Sequence, residues 1–174
     1  MQTIPGYVLR EISPSETGLF KNFLYLAIYQ AEGSIPPPYD IVDEPSLRIY
    51  YENFTRNKID KGDYCLIAGS SENNTSTFSI VGAAWSRILS GEHRGYGNID
   101  ASTPELAVSV LPAHRGKGIG TILILTLLER LKEAGFSRVS LSVQKANPAA
   151  RLYSRLGFVE YENKTDELIL IRTL

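Results

Sequence analysis

The sequence predicts a mixed α/β (α+β) fold in which one sheet of about seven strands is flanked by about four helices. Three observations carry this expectation. Segments of strand character alternate with segments of helical period in the order β-α-α-β-β-β-α-β-α-β-β. One stretch, Glu105 to Ala134, passes without a break from a short apolar run into a basic, glycine-dense loop and then into a strongly apolar helix. Finally, no repeat, linker or low-complexity segment divides the 174 residues, of which 43% are hydrophobic. That is enough to bury one sizeable core, so a single domain over residues 1–174 is expected.

Taken in order, Tyr7 to Ile12 reads as the first strand. Ser13-Pro14-Ser15-Glu16 then signals a helix start, with Ser13 as cap, Pro14 at the first helical position and Glu16 reaching back to complete a capping box. Leu19, Phe20, Phe23, Leu24, Ala27 and Ile28 form one apolar face at helical spacing, and Gly33 is the expected stop. Ile35 to Tyr39 holds three consecutive prolines and must be extended. A second helix is expected from Asp43–Ser46, because Leu47, Tyr50, Tyr51 and Phe54 recur at three- and four-residue steps. Lys61-Gly62-Asp63 turns the chain into a strand from Tyr64 to Ala68, and the polar run Ser70 to Thr77 reads as a hairpin-like loop. Phe78 to Ile88 is the next strand, with Gly82 marking a bulge or a close backbone approach. A loop from Ser90 to Thr103 leads to the strand at Leu106. After the helix ends at Gly135, Val139, Leu141 and Val143 alternate with serines as a strand. Asn147-Pro148 opens a short helix that ends at Gly157, with Phe158 placed for the apolar contact of a glycine C-cap. Two last strands, Phe158–Tyr161 and Glu167–Arg172, flank a polar turn.

Composition excludes several function classes. Eighteen basic and nineteen acidic side chains leave a net charge of −1, so no nucleic-acid partner is expected. One cysteine, Cys65, permits no intrachain disulfide, and with only two histidines a Cys/His zinc site is not expected. The N-terminus lacks the build of a signal peptide, and the most apolar segment, Ile119 to Leu131, is too short and polar to span a bilayer. A cytoplasmic protein without a membrane partner is the expectation.

The loop Arg115 to Thr121 is the most specific signal. Strand, glycine loop and helix N-terminus together present free backbone N–H groups to a phosphate. A P-loop fails here, because Gly116-Lys117 is followed by Gly118 and the position five before Gly116 is Leu111. A dinucleotide fingerprint fails as well, because Gly118-x-Gly120 would require glycine at Leu123. The pattern that fits is Arg/Gln-x-x-Gly-x-Gly/Ala opening a helix, carried by Arg115, Gly118 and Gly120. Arg94-Gly95-Tyr96-Gly97 mimics it, but no apolar helix follows.

With these residues in place the chain resembles the GNAT (GCN5-related) N-acetyltransferase superfamily from Tyr7 to Leu174, most closely from Glu105 to Phe158. The resemblance implies the GNAT fold, with a mostly antiparallel sheet, and acetyl-CoA as co-substrate without a metal. It implies that Gly116, Lys117, Gly118, Ile119, Gly120 and Thr121, with Arg115, hold the coenzyme A pyrophosphate. A bulged fourth strand would bind the pantetheine through the backbone of Val108, Ser109 and Val110. Asn147, Ala150 and Tyr153 resemble the family's Asn-x-x-Ala-x-x-x-Tyr segment, with two residues rather than three between Ala150 and Tyr153; by that resemblance Asn147 bonds the pantetheine arm and Ala150 leaves room for it.

Acetyl transfer to an amine needs a base, a polarised carbonyl and an acid for the departing thiolate. The resemblance makes Tyr153 the candidate acid and Glu105, at the start of the fourth strand where many family members place a glutamate, the candidate base; Glu105 should share a strand face with Ala107 and Ser109. Glu92, His93 and Asp100 are alternatives to Glu105. Cys65, in an apolar strand, reads as core rather than nucleophile, which favours direct transfer in a ternary complex. In this family the acceptor side would be built by Tyr29–Phe54 and Ser90–Thr103, with Tyr25, Tyr29, Tyr39 and Tyr50 as aromatic walls and Asp40, Asp43, Glu44 or Asp100 favouring a cationic amine. A small-molecule amine, a peptide N-terminus and a lysine all stay open, as does a homodimer. The competing reading is a GNAT-fold acyl-CoA-binding sensor or subunit without turnover.

Overall fold

The computed structural model describes residues 4–54, 61–71 and 78–174. Strands β1 (Tyr7–Glu11), β2 (Tyr64–Ser71), β3 (Phe78–Arg87), β4 (Glu105–Val110), β5 (Arg138–Gln144), β6 (Val159–Asn163) and β7 (Glu167–Thr173) form one seven-stranded sheet in the order β1-β2-β3-β4-β5-β7-β6. Every neighbouring pair is antiparallel except β4 and β5. Helices α1 (Phe20–Ala27), α2 (Pro45–Arg48), α3 (Ile119–Glu133) and α4 (Ala149–Arg155) complete the fold. Most of the expected loop 70–77 lies outside the described residues.

The sheet is covered on both faces, and β2 shows how. Tyr64, Leu66 and Ala68 enter a core with Leu123, Leu127 and Leu131 of α3, whereas Cys65 and Ile67 enter a second core with Phe20 and Phe23 of α1 and with Trp85. A strand buried on both sides needs a continuous apolar run, which is how its sequence reads.

Two helices are shorter than their periodicity predicts. Before α1, Pro14–Leu19 is a 3-10 turn, where Glu16 accepts the Ser13 backbone N–H at 2.8 Å. The helix stops at Ile28, which is extended (ψ 117°), rather than at Gly33. The Tyr25 hydroxyl donates to the Pro37 carbonyl at 2.7 Å and draws the proline run back along the helix. The apolar repeat from Leu47 to Phe54 yields a single α-turn. Carbonyls of Ile49 and Glu52 are taken instead by the Arg87 guanidinium, at 2.7 and 2.6 Å, which pins this segment to β3.

Bulges fall differently from expectation in one strand. The β2–β3 register shifts between Ala68 and Gly69, beside Gly82. The expected β4 bulge does not form: β4 pairs with β3 in unbroken register from Glu105↔Arg87 to Val110↔Gly82. What opens the sheet is its other edge. β4 pairs with β5 only at Glu105↔Ser140, and beyond that point the two strands part.

Candidate active site

The loop after β4 is built to leave amides free. Gly116 and Gly118 hold positive φ, 75° and 83°, and Gly118 is the N-cap of α3. The first α3 bond runs from the Ile122 N–H to the Gly118 carbonyl at 3.1 Å. The amides of Ile119, Gly120 and Thr121 therefore have no acceptor inside the helix and stand at its positive end. Arg115 turns inward, its Nε donating to the Val110 carbonyl at 2.9 Å, and so braces the loop against β4. Lys117 reaches the Tyr7 hydroxyl at 3.4 Å, and that hydroxyl pairs with His114 Nδ1 at 2.9 Å.

Pairing parity decides which β4 backbone groups are available. Leu111 N–H bonds the Val81 carbonyl at 2.8 Å, and the unbroken register then turns Ser109, Ala107 and Glu105 toward β3. Val108 faces the gap that opens between β4 and β5. Ser109 does not: its hydroxyl donates to the Phe23 carbonyl at 2.7 Å and ties β4 to α1. Val110 is buried in the α3 core, with its carbonyl taken by Arg115. Of the three residues expected to contact pantetheine, the geometry favours Val108.

Glu105 is only 4% exposed. Its Oε1 accepts the Tyr50 hydroxyl at 2.5 Å and the Gly97 N–H at 2.9 Å, whereas Oε2 is buried without a partner among the described residues. Burial pushes its carboxyl up to about 7, against the opposing pull of those two hydrogen bonds. The loop 90–103 makes this cage by close backbone approach. A Cβ at Gly97 would lie 2.6 Å from the backbone of Leu141 and Ser142, and one at Gly95 would strike Glu105 Oε2. This is the structural role of the glycine pair that mimics the phosphate motif.

Tyr153 comes from the other side of the sheet. It belongs to the α3 core, whereas Tyr50 belongs to the α1 core. Phe158 N–H bonds the Tyr153 carbonyl and Gly157 N–H bonds that of Ser154, the paired bonds of a Schellman cap. The cap sets Phe158 edge-on to the Tyr153 ring, 5.8 Å between centroids. Burial pushes the Tyr153 hydroxyl up to about 12. Asn147 accepts the Ala149 N–H at 2.9 Å through its side-chain oxygen, so it caps α4 from one residue outside Pro148. Glu105, Val108, Asn147 and Tyr153 all line one cavity of about 420 Å³, which runs through the sheet where β4 and β5 separate.

Residues 26–158 match the acetyltransferase (GNAT) family. The chain belongs to that family. Among its curated relatives, the mycothiol acetyltransferase of Thermobispora bispora is 36% identical over 85 residues, 48% of this chain and 28% of that protein. The ribosomal protein bS18-alanine N-acetyltransferase of Haemophilus influenzae is 36% identical over 55 residues, 32% of this chain and 38% of that one. The match thus spans well under half of either relative. The GNAT family acetyltransferase of Brucella melitensis, solved in complex with acetyl-CoA, shares the fold, with a TM-score of 0.58 and 21% identity over 96% of this chain and 87% of that one.

Against this GNAT framework the expected acceptor side divides. Tyr29 and Tyr50 line the cavity. Tyr25 and Tyr39 pack against each other at a tilt of 54° and bond Pro37 and Asn22. Asp43 is engaged by Lys21 and Tyr51, and Asp100 by Arg138, Ser102 and Thr103. None of Asp40, Asp43, Glu44 and Asp100 is among the described cavity residues. The carboxylate that joins Glu105 there is Glu167. It starts β7 and meets the cavity because that strand pairs with β5, where Ser142 donates to its Oε2 at 2.7 Å. No local motif marks it. Among the described residues no helix is long and apolar enough to cross a membrane, and no cluster of His, Cys, Asp and Glu suits a metal ion.

Proposed function

We propose that this chain is an acetyl-CoA-dependent N-acetyltransferase acting on a primary amine by direct attack in a ternary complex. The observation that carries this reading is that Glu105 and Tyr153, from opposite faces of the sheet, line one cavity at the parting of β4 and β5. The residues present fit the co-substrate. Three unpaired amides at the positive end of α3, with Lys117 beside them, suit a pyrophosphate. Arg115 acts as a brace. The Val108 backbone and the Asn147 side chain suit the pantetheine arm, whereas Ala150, on the first turn of α4, is not among the described cavity residues.

Bound there, acetyl-CoA supplies an activated acetyl thioester. Glu105 accepts the proton of the incoming ammonium, directly or through a water. Val108 N–H donates to the carbonyl oxygen as charge builds on it. Tyr153, kept protonated by burial, gives its proton to the departing thiolate.

The test is stabilisation by acetyl-CoA against ATP in a thermal melt, followed by thiol release across a panel of amines. Acetyl-CoA should stabilise and ATP should not; the reverse overturns the reading. Tyr153→Phe should lower kcat roughly a hundredfold while stabilisation by acetyl-CoA persists. Full turnover in that variant removes Tyr153 as the acid. Stabilisation without release from any amine would instead favour an acyl-CoA-binding subunit.

A further inference from the structure

The walls of the cavity say which amines it would accept. Leu24, Ile28, Ile41 and Leu47 supply an apolar side, and Tyr29 and Tyr96 an aromatic one. Two carboxylates, Glu105 and Glu167, face the same space, and the described lining residues include no lysine, arginine or histidine. Glu167 already has Ser142 and Lys164 as partners, at 2.7 and 3.2 Å. Glu105 Oε2 has none among the described residues, and it is buried. An ammonium entering here meets a wall that carries two carboxyl groups and no competing cation among its described residues. An α-carboxylate entering with it would leave water, find no cation among the described lining residues and stand near Glu105 and Glu167.

Resting on the acetyltransferase reading above, we propose that the acceptor is a primary amine on an apolar or aromatic carrier with no carboxylate beside the amine. Free amino acids are thereby excluded. Glu167 is a specificity determinant in this scheme, acting by repulsion as much as by attraction.

The experiment compares 2-phenylethylamine with L-phenylalanine, which differ only in the carboxylate. The ammonium of 2-phenylethylamine is the less acidic, so proton availability works against the expected result. Thiol release from acetyl-CoA should give a kcat/KM on the order of a hundredfold higher for 2-phenylethylamine. Glu167→Gln should narrow that ratio several-fold, and a ratio unmoved by it overturns the role of Glu167. A wild-type ratio near one, or in favour of phenylalanine, overturns the acceptor class. So does stabilisation by acetyl-CoA with no release from either amine, which leaves co-substrate binding standing. Absence of both stabilisation and release overturns the acetyltransferase reading beneath it.

Discussion

At the scale of single residues, Glu105 sits where a charge is costly. With its carboxyl raised from 4.5 to about 7, the folded chain holds a proton that the unfolded chain has lost between those values. Stability should therefore fall as pH rises through that window, by about 3 kcal/mol if the whole shift is realised. Glu105→Gln removes the titration, so its unfolding free energy should lose this dependence between pH 4.5 and 7 when followed by denaturant melts. A wild-type slope retained in the variant would place the titrating group elsewhere. In the base role proposed for Glu105 activity runs the other way, since a base must be ionised: kcat/KM should climb through about pH 7. The Tyr50 hydroxyl lowers that value by donating to Oε1, while Glu167 raises it and Lys164 lowers it from further away. Tyr50→Phe should thus move the acidic limb to higher pH and reduce the rate at neutrality. A limb that stays in place would mean that Glu105 is not the group being read.

At the scale of elements, the turn from β4 into α3 rests on Gly118. A Cβ there has space, its nearest neighbour being Ile4 at 3.7 Å, so the effect of Gly118→Ala comes from the positive φ of 83° and not from a clash. The expected cost is about 1 kcal/mol of stability. Because the same backbone angle aims the free amides, half-saturation by acetyl-CoA should shift upward as well. A lower melting temperature with unchanged acetyl-CoA titration would separate the loop's structural role from the binding role proposed for it. The α4 cap works in a comparable way at the other end of the cavity, where Gly157 and Phe158 fix the turn that carries Tyr153.

At the scale of the whole molecule, the sheet is two antiparallel blocks, β1–β4 and β5-β7-β6, joined edge to edge by the single pair Glu105↔Ser140. A ligand seated in the gap would bridge both blocks. Hydrogen exchange at the Val108 amide and at residues 142–144 of β5 should slow on adding acetyl-CoA, more than at the distant β1–β2 pair. Equal protection everywhere would argue for general stabilisation without occupancy of the gap. The legible part of this architecture was local. Val139, Leu141 and Val143 read as a strand because period two is a property of neighbouring residues, and Gly157-Phe158 read as a cap because its bonds span six residues. The Leu47–Phe54 repeat misled for the converse reason, since Arg87, 35 residues from Glu52, took carbonyls the helix would have used.

The sequence by itself determined the element order, the glycine-dense loop, and the identity of Glu105 and Tyr153 as candidates. The first two follow from residues adjacent in the chain or one helical turn apart, and the third from the resemblance those residues carry. Only the tertiary structure decided that β4 parts from β5 instead of bulging, that Ser109 turns away to α1, and that Glu167 and the Gly95–Gly97 loop belong to the site. Those outcomes depend on strand register and on backbone packing between segments distant in sequence, as when Gly97 lies against Leu141 and Ser142. Such contacts come into being only when the sheet closes.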